Sequence, residues 1–167
     1  NTPDILPKHL QEGGRPIFLI RAVLAATLSS VYGIYNGFEL CEGAAIPGKE
    51  EYVNSEKYQY KVWDWDRPGN IRDWITRLNR IRRENPALQE YDNLKFYSIE
   101  NNKILLYGKM TADRSNFVLV AVNLDPTHAQ EGHFELPLWE LALPDWAIVN
   151  VQELLTGEEF TWSGKHQ

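Results

Sequence analysis

The stretch RPIFLIRAVLAATLSSVYGIYNGFE, residues 15–39, decides how the chain is read. Its first part, Arg15 to Leu28, makes a good helix. Gly13 and Gly14 break the chain ahead of it, and Pro16 suits a first helical position, where its missing N–H costs nothing. Apolar residues lie nearly all round, with Ala22, Ala25 and Ala26 allowing close approach, so the helix is expected to pack on several sides. Arg21 within it needs a partner, such as a carboxylate of a surrounding barrel. VYGIYNGFE follows, a short β-branched and aromatic run punctuated by Gly33 and Gly37. It reads as one buried strand with a glycine-shaped end. Helix and strand in this order belong to the tail of a βα series, and such series close barrels or doubly wound sheets. Each half-unit needs sheet neighbours that the chain lacks, so the chain is expected to be a C-terminal piece of something larger.

Downstream, residues 41–69 show no clear periodicity. A loop that long in a compact domain is functional or disordered, and its aromatic content argues against disorder. IRDWITRLNRIRRENPAL, from residue 71, is an amphipathic helix with Ile71, Trp74, Ile75, Leu78 and Ile81 on one stripe. Asn70 can cap it, Asp73 favours its positive end, and Asn85-Pro86 stops it. Arg77, Arg80 and Arg83 fall on the other side, as a solvated face. After ENPALQEYDN the character changes. LKFYSI, KILLYGKM, NFVLVAVNL, HFELPL, AIVNVQELL and EEFTW are strand-like runs separated by turn signals, and LLTGEEFTW reads as a hairpin. An antiparallel sandwich is expected there.

Composition removes whole classes of function. The chain has 167 residues, 43% of them hydrophobic and 12% aromatic, enough to bury a core. A net charge of −6 argues against nucleic acid and against an anionic membrane surface. AVLAATL, the longest apolar run, is far short of the roughly 20 residues of a bilayer span. One cysteine, Cys41, excludes an internal disulfide and suits a reducing, cytoplasmic compartment. The histidines are scattered and no glycine-rich phosphate loop is present, so neither metal nor cofactor is expected.

The chemistry-bearing candidates lie in three places. NTPDIL, residues 1–6, presents Asp4 directly after a proline. At the C-terminal end of a barrel strand such a carboxylate reads as catalytic; the alternative is that Asp4 caps a short helix through ILPKHL. Glu39 closes GIYNGFE and would point toward the same face as Asp4, or sit buried against an arginine. Lys57 and Tyr58, in SEKYQ, offer a donor and a stacking ring suited to a hydroxyl-rich ligand, or are an ordinary loop lysine beside a packed tyrosine. In VWDWD, Trp63 and Trp65 are either a platform or anchors of the loop.

Taken together, GIYNGFEL, WITRLNRIRRENPALQ, NFVLVAVNLDP and LLTGEEFTW resemble, in order and over essentially the whole chain, the C-terminal third of the α-amylase superfamily of glycoside hydrolases. NTPDIL and EEYVNSEKYQ look like its bacterial branch that passes maltosyl units from maltose 1-phosphate to α-1,4-glucan. Ordinary amylases carry His-Asp where this chain has Pro3-Asp4, which agrees with that branch. The resemblance implies an α/β plus all-β fold: residues 1–88 would end a (β/α)8 TIM barrel, from strand 7 to helix 8, and residues 89–167 would form the β-sandwich. It implies that Asp4 stabilises the transition state and that Lys57, with Glu56 and Tyr58, contacts the donor sugar. Glu39 would have a supporting role. The nucleophile and the acid/base of a retaining pair would lie upstream, leaving this segment inactive alone. Expected partners are the glucan, the maltosyl donor, the N-terminal part of the same polypeptide and a second copy in a homodimer. The rival readings are a segment of an α-glucan hydrolase or another transglycosidase, and a non-catalytic carbohydrate-binding module. Exposed Trp139, Trp146 and Trp162 would serve the latter.

Overall fold

A computed structural model describes residues 1–167. It contains three α-helices, α1 (Lys8–Glu12), α2 (Gly14–Leu28) and α3 (Arg72–Glu84), followed by five strands. β1 (Leu94–Tyr97), β2 (Ile104–Met110) and β3 (Phe117–Asn123) form an antiparallel sheet in that order, with Leu94 opposite Lys109 and Ile104 opposite Asn123. β4 (Ile148–Gln152) and β5 (Glu159–Ser163) form a separate antiparallel hairpin. The molecule is thus mixed helix and antiparallel sheet, with the strands confined to its second half. No helix is long and apolar enough to cross a membrane.

The apolar stripe of α3 does what its spacing requires. Ile71, Ile75 and Leu78 are buried in one core with Phe18, Ala22 and Ala26 of α2. Ile81, further along the stripe, buries with Ala87, Leu88 and Val118, so the helix crosses from one core to the next. Each such side chain removed from water contributes about 1.5–3 kcal/mol. Asn70 does serve the start of α3, accepting from the Arg72 amide at 3.2 Å, and Asn85 ends it in an extended conformation. Arg77, Arg80 and Arg83 are exposed. Arg82 behaves differently. Its guanidinium donates to the carbonyls of Ala26, Ser29 (2.9 Å) and Ser30 (2.5 Å), where α2 ends, and lies 4.9 Å from the Tyr32 ring. A cation there satisfies orphan carbonyls and complements the negative end of the helix dipole.

One further contact ties the halves together, and a second holds the first sheet to the segment just before it. Tyr107 on β2 is fully buried, and its hydroxyl shares a 2.5 Å hydrogen bond with Thr27 of α2. Lys109, two residues on, is 1% exposed, and its Nζ donates to the Glu90 carbonyl at 2.6 Å. A buried ammonium is tolerated only when hydrogen-bonded in this way.

Three expectations fail. VYGIYNGFE forms no strand: residues 31–35 run without a ladder partner, and Val31 is 79% exposed. β propensity is realised only against a neighbour, and nothing in this chain pairs there. HFELPL makes only isolated bridges, through Phe134 and Glu135. The helix α2 is not covered all round. Arg21 and Ala25 are exposed and line an open groove of about 400 Å³, and no carboxylate pairs with Arg21.

Candidate functional site

Asp4 sits in a bend, neither at the end of a paired strand nor as a helix cap. The amides of Asp4 and Ile5 donate to Thr2 Oγ1 at 3.2 and 3.0 Å, a local turn that leaves the Asp4 carboxylate free. The start of α1 is served instead by Glu50, whose Oε1 accepts from the Lys8 amide at 2.8 Å. That bond begins a seam between residues 1–11 and 49–57. The Leu6 amide donates to the Glu50 carbonyl (2.8 Å), Gln11 Nε2 to the Lys49 carbonyl (3.0 Å) and Ser55 Oγ to the Pro3 carbonyl (3.0 Å). Asn1 Nδ2 donates to the buried Tyr52 hydroxyl at 2.5 Å. Burial pushes the Tyr52 phenol up to about 12, so it is a neutral hydrogen-bonding group at any physiological pH.

This seam brings Lys57 onto Asp4. Lys57 Nζ donates to Asp4 Oδ1 across a sequence separation of 53 residues. The ammonium also lies 5.3 Å from the centre of the Tyr58 ring. The bond to Asp4, then Tyr58, holds the Lys57 pKa above its ordinary value. Both charged side chains remain accessible, Asp4 at 59% and Lys57 at 46% exposure. They line a cleft of about 540 Å³, shared with Pro3, Asn54, Ser55 and Tyr58. A carboxylate acceptor, an ammonium donor and a 78% exposed ring are the groups a hydroxyl-rich ligand uses.

Glu56 and Glu39 stand apart from this cleft. The Glu56 carboxylate is engaged by Trp63, whose Nε1 donates to its Oε1 at 2.9 Å, and Glu56 does not line the cleft. Glu39 lies in the single turn Phe38–Leu40, entered through Gly37 at φ +90°. Its carbonyl accepts from the Ile71 amide at 2.7 Å and fixes the start of α3. Its side-chain Oε2 is buried without a hydrogen-bond partner, no arginine pairs with it, and it too is absent from the cleft wall. The expectation that Glu39 shares a face with Asp4 is therefore not met. It rested on a strand geometry that residues 31–35 do not adopt.

Sequence reading passed over Glu42. Its carboxylate is 12% exposed and takes Arg67 Nη1 at 3.3 Å, Lys61 Nζ at 3.5 Å and the Ala44 amide at 3.0 Å. Burial alone would raise its pKa. The Ala44 N–H and the two cations overcome that and hold it below the ordinary carboxylate value. Three acidic and basic residues spread over residues 42–67 carry no sequence spacing that would announce such a cluster.

Comparison with known proteins agrees along the whole chain. The family model described as GLGE, C-terminal, matches residues 96–167. The chain is 62% identical to the α-1,4-glucan:maltose-1-phosphate maltosyltransferase of Rhodospirillum rubrum, over 98% of this chain and 24% of that protein. It is 59% identical to the Pseudomonas aeruginosa protein of the same name, over 100% of this chain and 25% of the relative. With maltosyltransferase 1 of Streptomyces coelicolor the identity is 51%, over 97% of this chain and 24% of the relative. The chain thus spans about a quarter of the length of these curated relatives.

Proposed function

The chain is a relative of the α-1,4-glucan:maltose-1-phosphate maltosyltransferases, and from that premise we propose that it is the C-terminal segment of a retaining enzyme that transfers maltosyl units from maltose 1-phosphate to α-1,4-glucan. The single observation that carries the reading is the convergence of Asp4, Lys57 and the Tyr58 ring on one open cleft. Sugar hydroxyls entering that cleft replace the ion pair. Asp4 accepts from them, Lys57 donates to one, and the Tyr58 ring packs on an apolar sugar face. As the anomeric centre gains positive charge, the fixed Asp4 carboxylate stabilises it more than it stabilises the ground state. The nucleophilic and acid/base carboxylates of such a mechanism lie elsewhere in the parent polypeptide, so the chain by itself transfers nothing. Glu39 supports the site at a distance, by anchoring α3.

In the same reading residues 1–88 complete a (β/α)8 barrel of the α-amylase type and residues 89–167 form a β-sandwich. The unpaired segment 31–35 and the open flank of α2 support this, since both leave surface for barrel neighbours to cover. The remainder of the polypeptide is the first partner and a second copy, in a cytoplasmic homodimer, is the next. The test is made on the full-length protein. It should release inorganic phosphate from maltose 1-phosphate only when a glucan acceptor is present, and produce no glucose or maltose from starch. Starch hydrolysis without use of the phosphate donor would replace the transferase by a hydrolase. Turnover by the isolated chain would overturn the division of carboxylates.

A further inference from the structure

We propose that Trp63 is a positioning residue: it fixes the loop that presents Lys57 by clamping Glu56 against the Gly37 turn. The indole rests edge-on over the bare backbone of Gly37. A Cβ added there would meet Trp63 Cη2 at 2.4 Å, so this close approach requires glycine as much as the +90° φ does. From that seat Nε1 donates to Glu56 Oε1 at 2.9 Å. Glu56 is the residue directly before Lys57, so this bond fixes the chain next to the Lys57 backbone.

The clamp is itself held in place. Lys61 Nζ stands 4.1 Å above the centre of the Trp63 ring, and Lys61 and Arg67 are both drawn to the poorly exposed Glu42 carboxylate. Arg67 also donates to the Cys41 carbonyl at 3.3 Å. The ring is therefore trapped between a glycine on its edge and a cation on its face, both fixed to the 37–42 turn. Ser55, two residues before Lys57, is tied to the Pro3 carbonyl at 3.0 Å and accepts from the Lys57 amide at 3.2 Å. Two anchors thus stand immediately before Lys57, one to the segment that carries Asp4 and one to Trp63. Removing the second lets the ammonium swing away from Asp4 while the first still holds the loop near the cleft.

The effect on catalysis rests on the transfer reading above; the effect on geometry does not. Both are measured in the full-length protein. Zero-length carbodiimide coupling joins the Asp4 carboxylate to the Lys57 amine, and mass spectrometry reads its yield against the remote Lys95–Glu140 pair, which is in contact at 2.6 Å. Trp63→Phe keeps a ring but loses the N–H, and Glu56→Ala loses the acceptor. Each should lower the Asp4–Lys57 yield at least about fivefold relative to the reference pair. Each should raise KM for maltose 1-phosphate about tenfold and lower kcat less than threefold. Glu56→Gln keeps an acceptor oxygen and should restore both readouts to within twofold. The Trp63→Phe/Glu56→Ala double variant should be no worse than either single change. A coupling yield unchanged within twofold in Trp63→Phe overturns the proposal. So does an equal KM defect in Glu56→Gln and Glu56→Ala with coupling intact, which would put the Glu56 carboxylate on the sugar itself. If the parent protein releases no phosphate at all, the transfer reading fails, and the coupling yields alone still decide the clamp.

Discussion

Two polar contacts between chain-distant residues hold this molecule's interest, and they differ in one respect. Lys57 meets Asp4 in the open, with about half of each side chain accessible. Thr27 meets Tyr107 in the dark, across a sequence separation of 80 residues. An exposed ion pair contributes little to stability, because water and salt screen it and two flexible chains must be held. A buried hydroxyl pair has no such competitor, and leaving either partner unmatched carries the full desolvation cost. The first contact is therefore available for exchange with a ligand, and the second is part of the fold. The seam at residues 26–30, 82 and 107 should answer to stability measurements, and the cleft at residues 3–4 and 54–58 to kinetic ones.

The sharpest way to break that division is Asp4→Asn in the full-length protein. Turnover should fall by several orders of magnitude with no measurable change in thermal unfolding. A loss below about tenfold would make Asp4 an ordinary surface residue and erase the contrast. Next in size is Arg82→Ala. It strips the carbonyls of Ala26, Ser29 and Ser30 of their donor, and charged hydrogen bonds of this kind are worth about 1.5–3 kcal/mol. An unfolding free energy lowered by that amount in a denaturant titration, with KM unchanged, is expected; Arg82→Lys should recover only part, since an ammonium lacks the planar fork. Tyr107→Phe should cost about 1 kcal/mol, again without kinetic effect.

The smallest effect is a pH dependence. Burial pushes the Tyr107 phenol up to about 12, against an ordinary value of 10.0, and its bond to Thr27 opposes this only in part. A folded-state value above the unfolded one gives stability that is complete below pH 10 and is lost as pH rises toward 12. The stability curve of Tyr107→Phe should be flatter over that window. An equal slope in both proteins would mean that Tyr52 and Tyr97, also pushed up to about 12, account for all of it.

How much of this was legible beforehand follows the same line. Periodic, locally determined features were: the limits of α2, the stripe and the end of α3, and the strands from Leu94 to Ser163 with their closing hairpin. The meeting of Asp4 and Lys57 in one cleft also followed from the residues once the resemblance was in hand. Features that depend on a partner were not. Residues 31–35 have the composition of a strand and lack a neighbour to make them one. Arg82 sits among arginines that face water, and only the end of α2 distinguishes it. Glu39 was placed by extrapolating that absent strand. Trp63 could be read as an anchor, yet what it anchors depends on a glycine lying 26 residues earlier in sequence, at residue 37.

Lys109 carries a consequence of another kind. With its amine shut inside, the native protein offers that position neither to acylating reagents nor to lysine-directed proteases. A tag found on residue 109 would then be a record that β2 had come away from the segment at Glu90 that leads into the first sheet. Counting such tags over time would clock how often this happens, without any spectroscopic signal.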